Sequence, residues 1–238
     1  MNKNSLLSNG ICAKKVLNPT RPGKALGARR QSLSLGKCFF VACCVLWSFS
    51  AQAQESRQEQ TFKNLREKSK QIDNLSTFLR MYMGDCQAGP EAATCRQQSA
   101  VFRQEANQHS HVFFVFEEAI ALELRSASQG QLSIGWLPFF SAFGYAISAH
   151  PPKQWNKEGQ PIYTYMHFRG QLPSDLQMDE VSRWHKVGRL AAEVIVVPKG
   201  SWKASGKGKT VLEGMKVTWK AIRIFDSRTG QTLGIWLG

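Results

Sequence analysis

Residues 112–124 read VFFVFEEAIALEL. In an extended chain Val112, Phe114, Phe116, Ile120, Leu122 and Leu124 fall on one face, so the stretch predicts a strand with those six residues toward the core. This reading divides the chain. Before it, Phe62, Leu65, Ile72, Leu75, Phe78, Leu79 and Tyr82 recur at three- and four-residue spacings. That period predicts one helix from about residue 61 to Gly84, a residue suited to a left-handed C-cap. Pro90 fits the first turn of a second helix running to about Asn107.

After residue 111 the period stays near two. Leu132, Ile134 and Trp136 follow a turn at Ser128-Gln129-Gly130, and Phe139, Phe143, Tyr145 and Ile147 alternate after Pro138. HPPKQWNKEGQP (150–161) reads as a loop and IYTYMHF as a strand. DLQMDEVSRWHKVG (175–188) reads as a short helix. LAAEVIVV, MKVTWKAIRIF and TLGIWLG read as strands, with SGKGK (205–209) between the first two and a hairpin turn at 226–230. The expected fold is α+β: a helical hairpin over 61–107, packed on a mostly antiparallel sheet of about six to seven strands over 111–238.

The N-terminus has a different character. Eight basic residues and no acidic one precede Phe39–Phe49, an apolar run followed by Ala51-Gln52-Ala53. The run is shorter than the roughly 20 residues a membrane helix needs and fits the ~7–15 of a signal-peptide core. Residues 1–53 are therefore expected to be a cleaved export signal, cut between Ala53 and Gln54. Val41-Ala42-Cys43 and Arg29-Arg30 are weaker lipoprotein and twin-arginine features. Residues 54–60 are expected to be a flexible start, and 61–238 a single domain in the periplasm or secreted.

Removing the leader changes the charge. Eight of the 31 basic residues and none of the 17 acidic ones lie before residue 54, so the formal charge falls from +14 to +6. Nucleic acid is not an expected partner. Of six cysteines, only Cys86 and Cys95 remain, around Gly89-Pro90. In an exported chain they read as one disulfide; a metal or redox pair would need closer spacing or adjacent ligands.

LPFFSAFGYAISAHPPK, NKEGQP, FRGQLP, VIVVPKGSWK and IRIFDSRTGQTLG resemble a family of small exported bacterial proteins known mainly from predatory and social bacteria, a domain of unknown function. The resemblance runs from about Gln58 to Gly234. It implies export and one compact domain and transfers no catalytic residue.

Candidate chemistry is sparse. Glu118 falls on the apolar face of the opening stretch, where a carboxylate needs hydrogen-bond donors. Either it grips a ligand in a pocket with Trp136 and Tyr145, or a bulge at Glu117-Glu118 turns it to solvent. The bulge is the simpler expectation. His109 and His111 share a strand face but lack a third metal ligand. No nucleophile motif is present, and no catalytic residue, metal or cofactor is assigned. Gly206-Lys207-Gly208-Lys209 reads as a hairpin turn, and Lys199, Lys203, Lys216 and Lys220 as a basic face. The expected function is a non-enzymatic module binding an envelope protein or an anionic envelope ligand. An envelope hydrolase with a dispersed site and a structural envelope component are the alternatives.

Overall fold

The computed structural model describes residues 57–116, 120–127, 130–172, 174–206 and 211–238. The first helix, α1, spans residues 57–67, so residues 57–60 of the expected flexible start are helical, with Thr61 Oγ1 donating to the Arg57 carbonyl (2.8 Å). The single helix expected to Gly84 is interrupted. Lys70–Gln71 form a short strand, β1, and a new helix, α2, covers Leu75–Met83. Asn74 restarts the helix because its side chain accepts from the Thr77 N–H (2.9 Å). Gly84 ends it at φ 74°, as expected. The helix α3, Ala92–Ala106, follows the turn at Gly89-Pro90. Cys86 and Cys95 are bonded, with Cα atoms 5.9 Å apart, and join the end of α2 to the first turn of α3.

The break between α1 and α2 moves the chain across the sheet. Phe62 and Leu65 pack with Val112, Ile195, Ala221 and Ile235 on one face. Ile72, Leu79 and Tyr82 belong to the larger core with Phe113, Val194 and Ile222. The chain passes around the edge at β1.

The main sheet has seven strands in the order β1-β2-β10-β11-β6-β5, with β12 also paired to β11. The strands are β2 His111–Phe116, β5 Phe139–Ala142, β6 Tyr145–Ser148, β10 Leu190–Ser205, β11 Val211–Asp226 and β12 Thr232–Leu237. It is mostly antiparallel, as expected, but mixed: β1 with β2 and β6 with β11 run parallel. The pair α2–α3 is the crossover that parallel pairing of β1 and β2 demands. A second, antiparallel sheet contains β3 Leu122–Ser126, β4 Gln131–Trp136 and β9 Met166–Gln171. The expected 150–161 loop carries a small ribbon of β7 Gln154–Trp155 and β8 Pro161–Ile162. The last helix, α4, is Met178–Lys186, within the expected stretch, and buries Val181 and Trp184.

Two expected strands, β10 and β11, are longer than the sequence suggested. β10 continues through Pro198 because register shifts at Ile195/Val196 and Pro198/Ser201 accommodate it. The alternating stretch 139–147 is a hairpin instead of one strand. Phe143 and Gly144 both have positive φ (54° and 82°) and form its two-residue turn. Between the sheets, Trp136 meets Trp219 edge-on at 5.2 Å and lies against Phe140 and Trp236. At the crossing of β9 and β12, Gly170 and Gly234 allow the two backbones to touch; a Cβ on Gly234 would lie 3.0 Å from the Gly170 Cα.

Candidate functional site

The opening stretch 112–124 is not one straight strand. β2 belongs to the main sheet and β3 to the second, and Glu118 lies between them, outside the described residues. The phase of β2 also differs from the expectation. Phe113 and Val115 enter the main core, whereas Phe114 and Phe116 are 42% and 67% exposed. A run of five apolar residues carries no alternation, so its phase was not readable from sequence.

The register across the sheet arranges the outer face in rows. One row is Val112, Ile195, Ala221 and Leu237; the next is Phe114, Glu193, Arg223 and Ile235; the third holds Phe116, Ala191 and Phe225. Phe62 and Leu65 of α1 pack on the first row. On the second, buried Glu193 accepts from Arg66 of α1 and from Arg223 (3.0 Å). Arg223 places its guanidinium 4.7 Å from the Phe225 ring centre, and Phe114 meets Phe225 edge-on at 6.3 Å. An aromatic strip thus lies beside a fixed ion cluster.

The same residues stand at a strand edge. In an antiparallel pair, alternate residues direct both N–H and C=O toward the neighbour. Val112 faces β1, since its carbonyl accepts from the Ile72 N–H (2.9 Å). Phe114 and Phe116, two and four residues on, therefore face the same way, away from β10. β1 pairs only with His111 and Val112, and among the described residues no strand pairs with Phe114 or Phe116 on that side. Backbone donors and acceptors and two exposed rings thus coincide at one short edge.

The other sequence-derived candidates lie elsewhere. Trp136 is fully buried in the aromatic core. Tyr145, on β6, has its phenol pushed up by burial and by the charge and hydrogen bond of the Asp85 carboxylate, just before the disulfide loop. Trp136 and Tyr145 thus occupy a core and a loop contact. His111 is buried, with its ring 5.0 Å from that of Phe78. His150 stacks on Tyr163, and His167 lies over Gly135. Of the basic face, Lys203 is paired with Glu213; Lys207, Gly208 and Lys209 of the expected hairpin turn lie outside the described residues. No described helix is long and apolar enough to cross a membrane.

The family model of DUF6066, a family of unknown function, matches residues 36–238. Neither a curated protein nor a solved structure matches the chain.

Proposed function

The chain belongs to the DUF6066 family of unknown function, and from the geometry of the β2 edge we propose that it is an exported, non-enzymatic binding module. It takes up an extended segment of an envelope polypeptide by strand addition. The observation that carries this reading is the coincidence of backbone groups unpaired by any strand among the described residues with exposed Phe114 and Phe116. Strand addition uses main-chain hydrogen bonds for affinity and alternate side chains for specificity. An exposed apolar edge is a liability that folded proteins ordinarily cover or charge. Its retention here supports use. The basic, apolar and small-residue order of the leader supports export, and a disulfide is suited to an oxidising compartment.

Exported protein is collected and its N-terminus sequenced; Gln54 is expected, and a lipid-modified Cys43 would contradict this processing. The same material is panned against displayed random peptides. Selected peptides are expected to slow amide exchange at Phe114 and Phe116, and to lose binding in the Phe114→Asp, Phe116→Asp double variant. Binding that leaves both amides exchanging freely would sink the edge reading.

A further inference from the structure

The N-terminal end of the same edge is covered by β1, whose attachment is slight. Lys70 N–H donates to the Ser110 carbonyl and Ile72 N–H to the Val112 carbonyl, each at 2.9 Å. Ser69 Oγ meets Ser110 Oγ at 3.0 Å, and Lys70 Nζ meets the exposed Glu105 carboxylate at 2.8 Å. The register partner of Lys70 is His111, which is buried. His111 Nε2–H donates to the Ala106 carbonyl (3.1 Å), which leaves Nδ1 as the site an added proton would occupy. Phe78 of α2 stands against the ring and offers no acceptor.

We infer that β1 is an acid-released cover: protonation of His111 detaches Lys70–Gln71 and lengthens the open β2 edge from Phe113–Phe116 to His111–Phe116. The functional meaning rests on the edge being a docking surface. The charged groups around His111 come from three places. Lys70 of β1 and His109, in the turn after α3, oppose a cation there; Glu105 of α3 favours it. Glu105, however, is exposed and already bound to Lys70. Burial is the largest effect and, with Lys70 and His109, holds the imidazole below its ordinary value of 6.5. A group depressed in the closed form stabilises that form above the open-form value and loses the contribution as pH falls. As pH falls the opening constant therefore rises, by at most about tenfold per pH unit, to the extent that losing Lys70 and the cover of β1 returns the imidazole toward its ordinary value while Phe78 and Ala106 stay in place.

Amide exchange, corrected for its intrinsic pH dependence, measures this directly between about pH 7.5 and 5. In the wild type, protection at Lys70 and Ile72 is expected to fall with pH, by at most about tenfold per unit. In His111→Gln, which keeps a donor for Ala106 and cannot titrate, protection should be flat. Amides of β10 and β11 should stay protected in both. If the variant does not fold, an NMR titration of wild-type His111 decides, because loss of β1 protection must follow that titration. Flat protection in the wild type, an equal slope in the variant, or exchange of β10 and β11 in step with β1 would overturn the inference. No partner is present in these measurements. Failure of the peptide-binding test would remove the docking reading and leave acid release standing.

Discussion

Replacing Gly170 by alanine tests the crossing of β9 over β12, which closes the core. An ideal Cβ on Gly170 would lie 2.0 Å from the Leu233 carbonyl oxygen and 2.7 Å from Ile134 Cδ1. Carbon and oxygen normally approach to about 3.3 Å, so the strands must part by about 1.3 Å. Ile134 can rotate; the Leu233 carbonyl is main chain and cannot move without displacing buried Leu233 and its neighbours. Overpacking typically costs about 1–3 kcal/mol, and a backbone obstruction puts this variant at about 3 kcal/mol or above. For a domain of this size each kcal/mol lowers Tm by about 2–4 °C, so thermal melts followed by circular dichroism should show a drop of about 6–12 °C. Gly130→Ala is the control: φ is +70° and nothing lies within 4 Å of the added carbon. Only the left-handed backbone penalty of about 1 kcal/mol applies there. If Gly170→Ala melts at or above the control, the close crossing is not a feature of the folded protein.

Two further outcomes are expected. The Asp226 carboxyl is held far below the usual carboxylate range, chiefly by Arg189, which donates at 2.5 and 2.6 Å, with Thr229 adding a hydroxyl at 2.6 Å. A depressed carboxyl stabilises the fold above its unfolded value and loses that contribution as pH falls below about 4. Asp226→Asn should therefore cost roughly 3–5 kcal/mol at neutral pH by breaking a buried pair, and should flatten the acid limb of stability in denaturant titrations; an unchanged acid limb would remove Asp226 as its source. Reducing Cys86–Cys95 reopens a ten-residue loop and should lower stability by about 2–3 kcal/mol, with non-reducing peptide maps linking the two residues beforehand. Free thiols in exported protein would contradict the bridge.

The local features were the legible ones. Gly84 as a left-handed cap, the paired cysteines and α4 depend on a few adjacent residues, and each lies where its residue types point, whereas Pro90 lies in the turn before the N-cap Glu91 and not in the first turn of α3. The break at residues 68–74 was hidden because Ile72 is buried whether it sits in a helix or beside β1. Sequence period does not reveal which face of a sheet a helix covers, so Phe62 and Tyr82 looked like one stripe while packing on opposite faces. Parallel pairing of β1 with β2 and of β6 with β11 depends on distant partners. Phe143 took a position that favours glycine or asparagine, so a turn looked like strand alternation. The candidate edge was obscured by abundance, since all five residues from Val112 to Phe116 are apolar and only packing separates Phe113 from Phe114.

The passage of the chain around the β2 edge also has a mechanical consequence. Tension applied on the N-terminal side of the described residues enters the fold through α1. It reaches Phe62, Leu65 and Arg66 first, then the two hydrogen bonds of Lys70 and Ile72. The long β10–β11 hairpin is loaded only afterwards, behind α2, α3 and their disulfide. The first sixteen described residues, 57–72, thus act as a fuse in series with the sheet. Under such a load they are expected to part before the β10–β11 hairpin and to expose the outer face of the sheet.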